Sequence, residues 1–177
     1  MLDPAAGRLE FISQVPATER WAVDEVSYAA AEDAAGVRMV VSDIMSADLP
    51  EGYFDGVWVS NFLEHLPTQN AIAAFLEKMH SCLATGGRIA IMGPNFRYTR
   101  REYFDCADHT LALTHVAIQE HLYAAGFETT RTIPRLLPYS FRGILPPSAR
   151  LTRRYLQFPP VWRLLGKQFF VVGTKSS

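Results

Sequence analysis

The sequence predicts an α/β layer fold: a mostly parallel, seven-stranded sheet with helices on both faces and right-handed crossovers. Three observations carry this. Short apolar runs alternate with helix-like segments through the first two-thirds of the chain. Runs such as Val57-Trp58-Val59 and Ile89-Ala90-Ile91-Met92 are continuous in apolar character, which suits strands buried on both faces. Most of the runs end in a polar residue, as Asp24, Asp43, Ser60-Asn61 and Pro94-Asn95 do.

The elements follow in order. Leu2 lies at the end of a first, very short strand, and Gly7–Gln14 reads as a helix. Trp21-Ala22-Val23 is a second strand closed by Asp24, and Ser27–Asp33 is Ala-rich and helical by propensity. Val37–Val41 and Phe54–Val59 are the third and fourth strands. From Thr68 to about Leu83, Ile72, Phe75, Leu76, Met79 and Leu83 form one apolar stripe at helical spacing. Thr68 is the expected N-cap and Gly86 the expected stop. Arg88–Met92 is a strand ended by Gly93-Pro94, and Thr114–Ala125 is a helix closed by Gly126. Phe127–Ile133 and Gln168–Thr174 are the last two strands. Residues 134–166 hold six of the eleven prolines, with many aromatics and arginines, and read as an inserted C-terminal cap.

A chain of 177 residues is expected to form one domain over 1–177. No apolar run approaches the roughly 20 residues of a membrane span, and Met1-Leu2-Asp3-Pro4 lacks the features of a signal peptide. Cys82 and Cys106 provide no disulfide framework, so a cytoplasmic location is expected. Neither stands in a Cys-x-x-Cys or Cys/His ligand spacing, and no metal site is expected. Net charge is −1, divided as −10 over residues 1–130 and +9 over 131–177. Such asymmetry marks either a surface for an anionic partner or a basic tail packed on an acidic body. The stretch Leu151–Leu165 mixes basic and apolar side chains; it either caps a pocket or rests on an anionic membrane surface. The oligomeric state is left open, a homodimer included.

In open α/β sheets ligands bind beyond the carboxyl ends of the strands. Asp3 with Gly7, Asp24, Asp43, Asn61 and Asn95 fall at five such ends, and together they suggest one nucleotide-like ligand across the rim. The stretch Phe54-Asp55-Gly56-Val57-Trp58-Val59-Ser60-Asn61-Phe62-Leu63-Glu64-His65-Leu66 resembles the fourth-strand motif of class I S-adenosylmethionine-dependent methyltransferases. Leu83-Ala84-Thr85-Gly86-Gly87 resembles their Leu-x-x-Gly-Gly motif. From Pro94-Asn95-Phe96-Arg97-Tyr98 through Asp108-His109 to Lys167-Gln168-Phe169 the chain is similar to a bacterial branch acting on small molecules.

The resemblance implies a Rossmann-like methyltransferase fold, S-adenosylmethionine as cofactor and S-adenosylhomocysteine as product. It implies that Asp24 accepts the ribose hydroxyls and that Asp43 accepts the adenine amino group with Ile44 beside the ring. Asp3, Gly7, Asn61 and His65 complete the cofactor contacts. Read from the residues alone, the alternative for Asp24 is a helix N-cap, for Asp43 a turn aspartate, and for Asn61 a loop cap. The expected Asp-x-Gly-x-Gly-x-Gly reads Asp3-Pro4-Ala5-Ala6-Gly7-Arg8-Leu9, with only Gly7 retained. The chain also begins almost on its first strand, where relatives carry one or more helices. A shortened form, or a lid supplied by another element, is expected.

The acceptor is expected to be a small molecule, anionic or glycan-related, bound through Asn95, Arg97 and Arg101. His109 beside Asp108 is the expected general base, its alternative being a loop anchor. An NAD(P)-dependent oxidoreductase would want Gly-x-Gly-x-x-Gly or Tyr-x-x-x-Lys, and neither occurs. A nucleic-acid methyltransferase is disfavoured, because Asn95-Phe96-Arg97-Tyr98 is not the motif used for base amines. The remaining rival is a methyltransferase-like module, catalytically impaired, that binds or pairs subunits.

Overall fold

A computed structural model describes residues 1–26, 36–139 and 148–176. Seven strands form one sheet: β1 (Leu2–Asp3), β2 (Arg20–Asp24), β3 (Val37–Val41), β4 (Phe54–Ser60), β5 (Leu83–Pro94), β6 (Phe127–Ile133) and β7 (Gln168–Lys175). Their order is β3-β2-β1-β4-β5-β7-β6. The pairings β1–β2, β1–β4, β2–β3 and β4–β5 are parallel. β7 runs antiparallel to both β5 and β6.

Two long helices, α1 (Gln69–Cys82) and α3 (His115–Ala124), pack side by side on one face. The short α2 (Phe96–Thr99) follows β5, while α4 (Ala149–Leu156) and α5 (Pro159–Leu165) lie between β6 and β7. Both long helices start as their sequences predict. Thr68 Oγ1 accepts from Ala71 N–H at 3.1 Å, and Thr114 Oγ1 from Ala117 N–H at 3.2 Å. Ile72, Phe75, Leu76 and Met79 of α1 join Ile118 and Leu122 of α3, and Val57, Val59, Ile89, Ile91 and Val171 of the sheet, in the main core. A smaller cluster of Ala6, Leu9, Ile12 and Ala22 lies apart from it.

Three expectations need correction. Gly7–Gln14 is a series of turns, because Leu9 takes a left-handed φ of 62° that no helix can carry through. α1 ends at Leu83, and Gly86 lies within β5 instead of stopping the helix. There Gly86 has φ 76°, and a Cβ on Gly87 would meet Ala84 O at 2.8 Å and Phe54 O at 3.0 Å. The Gly-Gly pair is therefore a backbone requirement of the β4–β5 join. Among the described residues, the two long helices cover only one face of the sheet. On the other face Trp58, Ala90, Met92, Phe170 and Val172 stay half-buried, and Phe11 stacks on Trp58 with ring centroids 4.4 Å apart.

The expected helix over Ser27–Asp33 lies outside the described residues, as does 140–147 of the expected cap. The described remainder is tied down at its base: Arg135 donates to Gly166 O and Leu164 O, and Tyr155 Oη donates to Leu136 O. α4 and α5 leave Leu151, Leu156, Phe158, Leu164 and Leu165 exposed. Among the described residues, no helix is long and apolar enough to cross a membrane.

Leu9 stands where a glycine is expected, with its side chain 2 % exposed. Left-handed backbone costs a leucine about 1–2 kcal/mol, but deleting a buried leucine side chain costs about 3–5 kcal/mol. Leu9→Gly is therefore expected to lower stability by about 1–4 kcal/mol in urea titration. A stabilised variant would contradict this packing.

Candidate active site

The carboxyl ends of β1, β2 and β4 converge on one edge. The turn after β1 is held there by Asp24, whose Oδ2 accepts from Gly7 N–H at 2.8 Å and whose Oδ1 accepts from Val26 N–H at 3.1 Å. Gly7, at φ 49°, gives the turn its bend. Asp43, beyond β3, folds onto its own turn: Oδ1 accepts from Met45 N–H and Ser46 N–H. Ile44 beside it is buried in the main core. Asn61 turns the chain out of β4 at φ 48°, which asparagine tolerates better than most residues, and its amide donates to Ser60 Oγ.

A cleft of about 420 Å³ opens on this edge, lined by Asp3, Ala5, Gly7, Phe11, Trp58 and Ser60 among others. Leu9 points into the smaller core cluster and does not fill it. Asp3, 4 % exposed, is pushed up to about 7 by burial, with Asp24 adding to the shift and a backbone bond from Ala5 opposing it. A larger cavity, about 550 Å³, lies around Met1, Glu19, Tyr53 and Asp55, at the amino-terminal end of β4. That is the wrong end of a parallel sheet for a ligand.

Beyond Asn61 a second pocket of about 350 Å³ is lined by Glu64, His65, Cys106, Asp108, His109, Pro138, Tyr139 and Gln168 together with Asn61. Leu63–His65 is a single 3-10 turn after β4. The loop carrying His109 docks on it through Thr110 N–H, which donates to Glu64 O at 2.9 Å. Tyr103 supports that loop from below: its hydroxyl donates to Leu111 O and accepts from Leu113 N–H, and its ring packs 4.7 Å from His109.

Asp108, adjacent to His109 in sequence, has its side-chain contacts elsewhere. It lies against His65, with Oδ2 3.3 Å and its carbonyl oxygen 3.2 Å from His65 Nδ1. The Cys106 thiol donates to Asp108 Oδ1 at 2.8 Å and holds that carboxyl below its ordinary range. His109 is buried, and burial followed by the nearby His65 lowers its affinity for a proton. Glu64 was missed in the sequence reading. It is 2 % exposed, one carboxylate oxygen has no hydrogen bond, and burial raises it to about 7. A charged residue between Leu63 and Leu66 was the available signal.

Asn95, Arg97 and Arg101 line neither pocket. Asn95 is fully buried and its polar atoms are used: Nδ2 meets His115 Nδ1 at 3.0 Å and Pro134 O at 2.9 Å, and Oδ1 accepts from Arg97 N–H. It fastens the start of α3 and the end of β6 to the tip of β5. Arg97 and Arg101 are exposed. Among the described residues of the expected cap, only Pro138 and Tyr139 line the second pocket, and α4 and α5 do not.

Comparison with known proteins agrees with this geometry. Residues 14–91 match a family described as a methyltransferase domain. The fold matches an S-adenosylmethionine-dependent methyltransferase from Archaeoglobus fulgidus, with a TM-score of 0.70, 20% identity, and 98% of this chain and 85% of that one covered. It also matches the 1,6-didemethyltoxoflavin-N1-methyltransferase of Burkholderia thailandensis, whose structure holds its substrate and S-adenosylhomocysteine (0.65, 22%, 99% and 70%). The N-methyltransferase NodS of Bradyrhizobium japonicum, bound to S-adenosylhomocysteine, is a third match (0.69, 13%, 99% and 77%). A comparison of the sequence with curated proteins finds no match. Sheet order and these structural matches show the fold that S-adenosylmethionine-dependent methyltransferases share, and the methyltransferase-domain match spans residues 14–91, less than half of the chain.

The buried Asp3 gives a pH test in the absence of ligand. Its proton leaves near pH 4 in the unfolded chain and near 7 in the folded one. The folded state therefore loses stability as pH rises through that window. Asp3→Asn is expected to be more stable than the parent at pH 8, by about 2–4 kcal/mol, and to lose that advantage at pH 4. Thermal melts at the two values check it, and equal differences at both would refute it.

Proposed function

We propose that this chain transfers a methyl group from S-adenosylmethionine in the strand-tip cleft to a small molecule seated in the second pocket. The observation that carries the reading is the adjacency of the two spaces: Ser60 lines one, Asn61 the other, and both lie at the tip of β4. The donor fits the residues present, because the cleft is open, Leu9 is turned out of it, and an aspartate stands at its edge. The cofactor supplies an electrophilic methyl carbon on a sulfonium, which leaves as a neutral thioether when the carbon–sulfur bond breaks.

The protein's part is to place and to dehydrate. Asp24 presents its carboxylate to the ribose hydroxyls while it fixes the Gly7 turn, and Asp43 stands where the adenine amino group is met, beside Ile44. Asp3, Gly7 and Asn61 line the path of the rest of the cofactor. Alignment of two reactants supplies roughly 7–11 kcal/mol in favourable cases. The acceptor's lone pair forms the new bond to carbon, and any proton it sheds goes to His109, kept neutral by burial. His65, held by Asp108, faces the acceptor with it. Arg97 and Arg101, exposed on the segment leading to the His109 loop, suit an anionic or glycan-linked portion of the acceptor. Asn95 acts on the acceptor only by holding this segment.

One observation favours a second reading, a methyltransferase-like module without activity: both Asp24 oxygens already accept backbone N–H groups. Calorimetry with S-adenosylhomocysteine separates the two. Micromolar binding is expected, weakened at least about tenfold by Asp24→Asn through loss of charge-assisted bonds. No detectable heat with the folded parent would leave the module reading standing. If binding holds, Arg97→Ala and Arg101→Ala are expected to raise KM for the true acceptor and leave S-adenosylhomocysteine affinity unchanged.

A further inference from the structure

We propose that Glu64, His65 and His109 form a binding site for one divalent first-row transition-metal ion, zinc above all, on the wall of the second pocket. Each residue offers one ligand atom, and the three atoms lie within 4.8 Å of one another. Two imidazoles and one carboxylate are a donor set that zinc takes in sites with an open fourth position. A tetrahedral shell with bonds near 2.1 Å spaces its donors by about 3.3 Å. The three must therefore close by at most about 1.5 Å, a movement within the reach of side-chain rotation.

A second observation is independent of that proximity. Glu64 is 2 % exposed and carries a carboxylate oxygen without a hydrogen bond, on a residue that lines the pocket. A buried carboxylate oxygen left bare costs free energy unless something binds it. A cation answers that need, and among the described residues no Lys or Arg lines this pocket to do so.

The surroundings are those a metal ligand wants. His65 has one ring nitrogen against Asp108, and the His109 ring packs edge-on against Tyr103 with centroids 4.7 Å apart. An outer carboxylate such as Asp108 fixes the His65 ring and raises its basicity as a ligand. Cys106, Asp108 and His109 form an alternative grouping, but the Cys106 thiol is spent on Asp108, and Asp108 is exposed. Three protein donors leave a position open toward the pocket. What an ion would do there rests on the methyl-transfer reading: it would polarise an acceptor oxygen, taking over from His109 the task of easing its proton away to solvent. Binding of the ion does not rest on that reading.

The test is cobalt(II) titration of the purified full chain, followed by visible d–d absorption, with zinc as competitor. One cobalt per chain is expected, displaced by one zinc. Glu64→Gln, close to isosteric, and His109→Asn should each weaken binding at least about tenfold, and Asp108→Asn by about 10–100-fold through loss of the outer partner. His121→Ala, which is remote in the sequence and lines neither pocket, should change nothing. Circular dichroism shows whether each variant folds; if His109→Asn does not, Glu64→Gln decides. Absence of cobalt binding, or binding unmoved by Glu64→Gln, overturns the site. S-adenosylhomocysteine calorimetry on the same samples keeps the readings apart. Cofactor bound without metal refutes the ion alone, and metal bound without cofactor refutes methyl transfer alone.

Discussion

The site depends on one pairing, β1 against β4. From that seam the sheet grows outward in both directions, through β2 and β3 on one side and β5, β7 and β6 on the other. With right-handed crossovers the connections after β1 and β4 leave toward opposite faces, and a crevice opens between them. Asp3 and the Gly7 turn form one wall of it, Ser60 and Asn61 the other. The reversed β7 completes the arrangement, because its start at Gln168 reaches the same edge and closes the far side of the second pocket.

Much of this was legible in the residues. Continuous apolar runs announced the strands, and Thr68 and Thr114 announced the two long helices, because a hydroxyl before an apolar stripe has a local physical meaning. The Gly-Gly pair was read as part of a motif but misjudged as a helix stop. Its cause is a Cβ clash with Ala84 and Phe54, a contact made across the β4–β5 join that spacing alone does not reveal. The turn at 7–14 failed for the opposite reason. Leu9, Phe11 and Ile12 look helical in sequence, but a left-handed Leu9 stops the helix and sends Phe11 onto Trp58.

The candidate site was legible in residue type more than in partnership. Asp24 and Asn61 stand at strand tips as expected, but what Asp24 holds, the Gly7 amide, became visible only with the turn folded. Adjacency in sequence paired Asp108 with His109, while the loop's path turns Asp108 toward His65 instead. Asn95 is the instructive case. At the tip of β5 it sits where a ligand contact is natural, yet the need to fasten β5, α3 and Pro134 together consumes its amide completely. A polar residue at the rim is available to a ligand only when the backbone around it is already satisfied.

Glu64 carries that argument to the opposite limit. Its backbone carbonyl is employed: it receives Thr110 and fixes the His109 loop. Its side chain is only partly employed, since one oxygen is bare inside a nearly closed position. An alanine there would keep the loop docked and spare the desolvation of a carboxylate, a cost of several kcal/mol. Natural sequences keep such a cost where function needs the group, and the stability of the whole domain is small enough for it to matter. The same sheet edge thus holds two kinds of acid. Asp24 spends both oxygens on backbone N–H groups and so supports the fold, whereas Glu64 keeps one oxygen bare on the wall of a pocket, where a ligand would answer it.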